Sequence, residues 1–233
     1  MNLFNRLFQK KPVIGMLHLG GRYPLDQALQ DLKIYEQEGL DGVIMENYHG
    51  TEQTLVSVLS QIQSRGTKLK LGVNVLRDFK RSFELAADYD ADFIQIDSVQ
   101  PSNMDLDAYD RLRGLYLNIV VLGGVGFKYT SDPGDNLSAW LESAKSRVDA
   151  VVTTGPGTGQ ETPIKKLEHY KTLLGDFPLI EGAGSTRDNI YEHLRVADGV
   201  IVGSYFKPNG NTELPVQELN VRRYIIEANK ARS

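Results

Sequence analysis

The sequence predicts an α/β protein folded as a (β/α)8 TIM barrel. Short β-branched runs alternate with longer amphipathic runs along the whole chain, which is the pattern of repeated βα units around a parallel sheet. The length of 233 residues is close to the ~250 typical of one such barrel. No linker-like change in composition and no low-complexity tract interrupts the pattern, so we expect a single domain over residues 1–233.

Eight apolar runs have the length of strands and are bounded by turn residues. The predicted strands are Val13–His18, Gly42–Glu46, Lys70–Val75, Phe93–Asp97, Ile119–Leu122, Ala150–Thr154, Leu179–Glu181 and Gly199–Val202. The predicted helices begin near Leu25, Glu52, Phe79, Leu106, Leu137, Ile164 and Arg187, and the last covers Val216–Asn229. Strands that are nearly all apolar are expected when helices cover one face of a parallel sheet and a packed interior lies on the other.

The first eleven residues form a basic, amphipathic segment. Residues 1–11 lack the long apolar core and the small-residue cleavage site of a signal peptide. We expect this segment to pack across the bottom of the barrel, with peripheral association with a membrane as the alternative. No stretch of the sequence reaches the ~20 apolar residues that a transmembrane segment requires.

The composition excludes several kinds of site. The net charge is −4 and no cluster of lysine and arginine stands out, which argues against nucleic acid as the main partner. The chain has no cysteine, so disulfides, thiolate metal sites and cysteine nucleophiles are excluded. The absence of cysteine agrees with a reducing compartment, and we expect a cytoplasmic protein. Exposed barrel helices commonly pair, so we also expect a homo-oligomer.

Two predicted strands near the C-terminus each end in a glycine-rich turn. We expect each turn to lead into the N-terminus of a helix, where backbone N–H groups and the helix dipole favour an anion. In many (β/α)8 barrels the loops after strands seven and eight bind phosphate. The predicted phosphate-binding residues are Gly182, Gly184, Ser185, Gly203 and Ser204. Lys207, just beyond the second turn, either pairs with phosphate or covers the barrel rim.

Polar residues follow most of the other strands, where the βα loops of a barrel build the functional site. The predicted catalytic residues are His18, Glu46, Asp97 and Lys128. His18 suits acid–base chemistry because its ordinary pKa is about 6.5. Glu46 and Asp97 end even-numbered strands, so we expect their side chains to converge and either to share proton transfer or to hold a divalent metal. The metal is the weaker alternative and no cofactor is predicted. The other histidines, His49, His169 and His193, are predicted to lie on the surface.

A glycine- and threonine-rich loop follows the sixth predicted strand. Its sequence, Thr154-Gly-Pro-Gly-Thr-Gly159, lacks the Gly-Lys-Ser/Thr ending of a P-loop. Because it neighbours the two phosphate turns, we interpret it as a lid that closes over a ligand. The predicted substrate-binding residues are Asn47, Asn74, Thr154, Gly157 and Thr158.

Seven segments, spread over nearly the whole chain, resemble the BtpA/SgcQ family. They are Val13–Leu19, Gly39–Asn47, Leu71–Asp78, Ala91–Ile96, Thr154–Gly159, Gly182–Asn189 and Asp198–Gly210. The resemblance implies a phosphate-binding barrel of the ribulose-phosphate-binding kind, and for one branch of the family a role in photosystem I biogenesis. After strand five, where the family tends to carry an aspartate and a Lys-His pair, this chain keeps only Lys128.

These observations lead to two main hypotheses. The first is an enzyme, an isomerase, lyase or hydrolase, that acts on a phosphosugar or a nucleotide-derived metabolite by acid–base chemistry. The second is a non-catalytic assembly factor that uses residues 3–11 to contact a membrane or a partner. A third option is a Schiff-base lysine at position 128.

Overall fold

The computed structural model of the protein describes residues 2–232, in which eight parallel strands close into a barrel. Each strand pairs with its neighbours in chain order, and the eighth pairs with the first. The strands are β1 (Val13–Leu17), β2 (Gly42–Glu46), β3 (Lys70–Asn74), β4 (Phe93–Ile96), β5 (Val120–Gly124), β6 (Ala150–Thr153), β7 (Leu179–Glu181) and β8 (Gly199–Val202). The predicted fold class is therefore confirmed, with strand ends that differ from the prediction by at most two residues.

Nine α-helices lie within the described residues, and eight of them surround the barrel. They are α1 (Leu3–Leu7), α2 (Pro24–Glu38), α3 (Glu52–Arg65), α4 (Phe79–Asp88), α5 (Leu106–Arg113), α6 (Leu137–Lys145), α7 (Ile164–Leu174), α8 (Ile190–Val196) and α9 (Glu218–Arg232). Local sequence explains where several of them begin. The side chains of Thr51, Asp78 and Asp105 each accept a hydrogen bond from an amide in the first turn of α3, α4 and α5.

The barrel interior is filled by side chains from the strands, and α1 closes its N-terminal end. Phe93 points into the barrel, and Gly72 makes room for it because a Cβ at position 72 would overlap the Phe93 ring. Phe4 and Phe8 belong to the same buried cluster, and the rings of Phe8 and Phe93 are 5.9 Å apart. The apolar side of the N-terminal segment is thus used for packing against the barrel.

The two glycine turns lead into structures that differ from the prediction. After β7 the chain runs through residues 182–189 before α8 begins, and after β8 it forms only a short 3-10 helix, Ser204–Phe206. The helix expected after the β7 turn from about Arg187 begins at Ile190, and the helix that follows the β8 turn is of the 3-10 type. The amides available to an anion come from the turns and from the first residues of the 3-10 helix.

Among residues 2–232 there is no helix with the length and apolar character needed to cross a membrane.

Candidate functional site

The two glycine turns face a common cavity at the C-terminal mouth of the barrel. The cavity is narrow, about 40 Å³. From the turns it is lined by Gly182, Ala183, Gly184, Ser185, Gly203 and Ser204, and from the other strand ends by His18, Glu46, Gln95 and Lys128, among others. The structure thus brings all five predicted phosphate-binding residues together with three of the four predicted catalytic residues, His18, Glu46 and Lys128.

Four backbone amides in the turns, those of Gly184, Ser185, Ser204 and Tyr205, form no hydrogen bond within residues 2–232. Gly184, Ser185 and Ser204 line the narrow cavity, whereas Tyr205 lines a neighbouring cavity together with them. The amide of Gly182 differs, because it donates to the carbonyl of Thr153 at 2.8 Å. It cannot bind phosphate in the way the sequence predicted.

Glycine at positions 182 and 203 serves close packing at the mouth. A Cβ at position 182 would lie 2.7 Å from Cγ1 of Val152. A Cβ at position 203 would lie 2.6 Å from Cε1 of His18. Because real Cβ atoms do not approach so closely, the absence of a side chain at position 203 lets the imidazole reach the cavity.

The loop between β6 and α7, residues 154–163, lies across the mouth as a lid. The amide of Thr158 donates to the hydroxyl of Tyr129 at 3.0 Å, and the hydroxyls of Thr158 and Tyr48 are 3.4 Å apart. On the opposite side the loop sits on the β7 turn, since a Cβ at Gly184 would overlap the carbonyl oxygen of Gln160. This closed position explains why the cavity is so narrow. A second cavity, of about 480 Å³, is lined by the same lid and turns.

The two predicted carboxylates converge through Asn74. Nδ2 of Asn74 lies 2.9 Å from Oε1 of Glu46, 2.9 Å from Oε1 of Gln95 and 3.1 Å from Oδ1 of Asp97. Nε2 of Gln95 also donates to Asp97, at 2.8 Å. Glu46 and Asp97 therefore belong to one hydrogen-bonded group, which we call the carboxyl cluster (Glu46, Asn74, Gln95 and Asp97).

Glu46 is protonated at neutral pH. Burial and the negative charge of Asp97 raise its pKa to about 8, although Lys128 and the hydrogen bond from Asn74 act in the opposite direction. Only 7% of Glu46 is exposed. A neutral carboxyl group is a hydrogen-bond and proton donor, so the cluster holds an acid beside a carboxylate.

His18 is neutral and has a free ring nitrogen. Burial and the charges of Lys207, His49 and Lys128 lower its pKa well below the ordinary value. Its Nδ1 is buried and has no hydrogen-bond partner within the described residues. A neutral imidazole that lines the cavity can accept a proton or a hydrogen bond from a ligand.

Lys128 supplies a positive charge at the centre of the mouth. Its ammonium group lies 4.2 Å from the centre of the Phe127 ring and forms no ion pair within residues 2–232. Its charge acts on both Glu46 and His18. Lys128 is therefore free to attract a negative charge on a ligand.

Three of the predicted substrate-binding residues hold loops in place. The side-chain oxygen of Asn47 accepts from the amide of Leu76 at 2.8 Å. The buried hydroxyl of Thr154 accepts from the amide of Lys128 at 2.6 Å and donates to the carbonyl of Gly155 at 2.8 Å. Gly157 forms the turn of the lid, where its carbonyl accepts from the amide of Gln160 at 3.1 Å.

The prediction of a surface position is wrong for His193, whereas His49 and His169 are exposed. His193 is 2% exposed, and its Nδ1 lies 2.9 Å from Oε1 of the buried Glu181, beneath the β7 turn. Burial lowers the pKa of His193, but the hydrogen bond and the surrounding carboxylates outweigh this effect and raise it. Ile190, His193 and Leu194 share the buried face of α8, and this helical spacing was the signal that sequence reasoning missed.

Lys207 lies in a buried ion pair. Its ammonium group is 2.7 Å from Oδ2 of Asp31 on α2, and both residues are 2% exposed. Oδ1 of Asp31 accepts from the amide of Val216 at 2.9 Å. This pair joins α2 to the segment after β8, and the charge of Lys207 is already balanced within the protein.

No group of three or more histidine, aspartate or glutamate side chains within the described part of the chain is arranged to hold a metal ion.

Comparison with known proteins identifies relatives along nearly the whole chain. The model of the BtpA family matches residues 9–230. An uncharacterised protein of Thermococcus kodakarensis is 30% identical, over 97% of this chain and 98% of its own. The photosystem I biogenesis protein BtpA of Synechocystis is 27% identical, over 97% of this chain and 90% of its own.

Among solved structures, N-(5'-phosphoribosyl)anthranilate isomerase from Pyrococcus furiosus resembles this chain with a TM-score of 0.65 and 16% sequence identity. The match covers 94% of this chain and 99% of that structure. At this identity the likeness shows a shared fold alone.

Proposed function

The chain belongs to the BtpA family, and we propose that it is an enzyme that binds a phosphorylated small molecule and transfers protons on it. The observation that carries the proposal is the shared cavity, which joins two turns with free amides to the carboxyl cluster and to His18. We propose a phosphosugar or a nucleotide-derived metabolite as substrate and an isomerase, lyase or hydrolase reaction.

The phosphate group would be held by the amides of Gly184, Ser185, Ser204 and Tyr205. Charge-assisted hydrogen bonds from backbone N–H groups to phosphate oxygens are short and strong, and amides of consecutive residues form concave anion sites. The name of the Pyrococcus structure refers to a phosphoribosyl compound, and its barrel has the same fold. This likeness supports the proposal without identifying the substrate.

Proton transfer would use Glu46 as the acid and His18 as the base. Glu46 is protonated, so it can give its proton to an oxygen of the ligand, while the neutral His18 can take one from a carbon or a hydroxyl. The negative charge of Asp97 favours the protonated form of Glu46, and Asn74 fixes the positions of the two carboxyl groups by donating a hydrogen bond to each. Negative charge that develops on the ligand would be stabilised by Lys128.

The lid would exclude water during the reaction and open to exchange ligands. A cavity of about 40 Å³ is too small for a phosphate ester, so the hydrogen bonds between Thr158 and the two tyrosines would break when a ligand reaches from the turns to the carboxyl cluster. The cysteine-free composition supports a cytoplasmic location. A homo-oligomer stays a prediction.

The phosphate site is tested by comparing two glycines that have nearly the same backbone conformation. Gly184 and Gly39 have φ angles of 76° and 78°, but only Gly184 lies at the site, and nothing lies within 4 Å of a Cβ at Gly39. Both alanine variants carry the same strain of a positive φ angle, and at position 184 the new Cβ would also lie 2.0 Å from the carbonyl oxygen of Gln160, so this variant also displaces the lid from the β7 turn. Binding of ribose 5-phosphate and of inorganic phosphate would be measured by calorimetry.

We expect Gly184→Ala to weaken binding of both ligands at least about tenfold, because the clash with Gln160 moves the amides of the β7 turn out of position, and tenfold corresponds to about one charge-assisted hydrogen bond. Gly39→Ala should bind like the wild type. Equal affinities in the two variants would contradict the phosphate site.

The alternative of a non-catalytic assembly factor is supported by the name of the Synechocystis relative. It would need residues 3–11 as a contact surface, but Phe4 and Phe8 of this segment are buried against the barrel. Co-sedimentation with vesicles of anionic lipid separates the two proposals. Binding by the full chain that is lost on deletion of residues 1–11 would favour the assembly factor, and no binding would favour the enzyme.

A further inference from the structure

A large cavity lies on the other side of the mouth from the phosphate turns. Its volume is about 500 Å³, and it is formed by the loops that follow β2, β3, β4 and β5, whereas the phosphate turns follow β7 and β8. We call it the distal cavity. Glu46, Tyr48, Gln95 and Lys128 line both cavities. A ligand held by the turns can therefore cross the carboxyl cluster and extend into the distal cavity.

Two cations in the distal cavity have no carboxylate partner. Neither Arg77 nor Lys128 forms an ion pair within residues 2–232. The cavity is also lined by carboxyl groups, and these are engaged elsewhere: Asp78 accepts from the amide of Arg81 at 2.9 Å, and Asp97 accepts from Asn74 and Gln95 at 3.1 and 2.8 Å within the carboxyl cluster that also holds Glu46. The two cations thus remain available to an acidic group on a ligand.

The backbone at Arg77 is held in an unfavourable conformation. Its φ angle is +64°, in the left-handed region that glycine and asparagine adopt far more readily than arginine. The turn is fixed on both sides, because Asn47 accepts from the amide of Leu76 at 2.8 Å and the amide of Asp78 donates to Val75 at 3.0 Å. Such strain is typical of functional sites, and here it places an arginine at the edge of the cavity.

The walls of the distal cavity combine apolar surface with a free amide donor. Val75, Phe79, Ile96 and Met104 contribute the apolar surface. The side-chain oxygen of Asn103 accepts from Gln100 and Ser98, while its NH₂ group donates to nothing within the described residues. Apolar walls with two cations and an amide donor suit a carbon chain or ring that ends in an acidic group.

We propose that the distal cavity is a second anion subsite, and that the substrate is a phosphate ester with a carboxylate or a second phosphate at its other end. Arg77 and Lys128 bind this second acidic group, while the turns after β7 and β8 bind the first phosphate. This inference rests on the proposed function and narrows its substrate class.

The test compares ligands that differ in one acidic group, by calorimetry at pH 7 with the full chain. Glycerol 3-phosphate is paired with 3-phosphoglycerate, glucose 6-phosphate with 6-phosphogluconate, and fructose 6-phosphate with fructose 1,6-bisphosphate. In at least one pair the more acidic ligand should bind about tenfold more tightly, as expected for one added charge-assisted contact. The pair that shows the difference identifies the acidic group and its distance from the phosphate.

Arg77→Asn removes the charge and suits the left-handed backbone, so this variant is expected to fold. It should lose the preference for the more acidic ligand and bind the monophosphates like the wild type. Arg65→Asn, which removes the same charge from an exposed position at the end of α3, is the matched control and should keep the preference.

Equal affinities within all three pairs, or a preference that survives in Arg77→Asn, would overturn the second subsite and leave the phosphate site intact. No binding of any of the six compounds would overturn the phosphate site, and the second subsite with it.

Discussion

Replacing Glu46 by glutamine should stabilise the protein, and the gain should grow as the pH rises. In the unfolded chain this carboxyl group loses its proton near its ordinary pKa of 4.5, whereas in the folded protein burial and Asp97 raise the pKa to about 8. Between these values the folded state binds the proton and the unfolded state does not. The free energy of unfolding therefore falls with rising pH in this interval. Glutamine has no proton to lose, and its oxygen can still accept the hydrogen bond from Asn74.

The size of the effect follows from the two pKa values. One pH unit corresponds to about 1.4 kcal/mol, so the interval from 4.5 to about 8 amounts to about 5 kcal/mol, of which about 3 kcal/mol is present at pH 7. Glu46 is buried, so solvent screening reduces this value little. The stabilisation should be about 1 kcal/mol at pH 5 and about 5 kcal/mol at pH 9.

Urea unfolding followed by circular dichroism at pH 5, 7 and 9 measures this directly. Glu168→Gln makes the same chemical change at an exposed position and should leave the free energy of unfolding unaltered at each pH. A gain for Glu46→Gln that is equal at pH 5 and pH 9, or a loss of stability at pH 9, would refute the reasoning.

Three other changes test the histidine, the ion pair and the lid. The pKa of His18 is lowered in the folded protein, so the melting temperature of the wild type should fall as the pH drops below about 6.5. Between pH 7 and pH 5 the melting temperature of His18→Asn should fall less, and an equal fall in both proteins would contradict this. Lys207→Met leaves Asp31 buried and unpaired, which should cost about 3–5 kcal/mol in urea unfolding, and Asp31→Asn in the same chain should restore part of it. Tyr129→Phe removes the hydroxyl that accepts a hydrogen bond from the amide of Thr158, so limited proteolysis should cut the lid, residues 154–163, faster with little change in melting temperature. Cleavage at the wild-type rate would show that this hydrogen bond does not hold the lid in place.

The barrel could be predicted because its signals are local. Apolar runs of strand length alternate with amphipathic helices, and this periodicity does not depend on distant contacts. The helix after β7 was misplaced for a physical reason. Residues 182–189 form a turn in which Asn189 accepts from the amide of Thr186 and donates to the carbonyl of Gly184, so α8 begins only at Ile190. Such side-chain to backbone bonds compete with helix formation.

Less of the candidate site could be predicted, because its chemistry depends on contacts between distant residues. The polar strand ends and glycine turns were visible, since a barrel places them all at one mouth. The ion pair of Asp31 with Lys207 joins residues 176 positions apart, and the contact of Tyr129 with Thr158 joins two loops. Neither has a sequence signature. The pKa of Glu46 likewise depends on burial and on the position of Asp97, which only the folded structure supplies.

The central claim is that free amides of the β7 and β8 turns bind phosphate. Its most direct test is an NMR titration of the isotope-labelled protein with inorganic phosphate, in which the chemical shifts of the backbone amides are measured. We expect the resonances of Gly184, Ser185, Ser204 and Tyr205 to shift together and to saturate with one dissociation constant, while that of Gly182, whose amide is already bonded, shifts less. Saturable shifts confined to other parts of the chain, or no saturable shift at all, would contradict the claim.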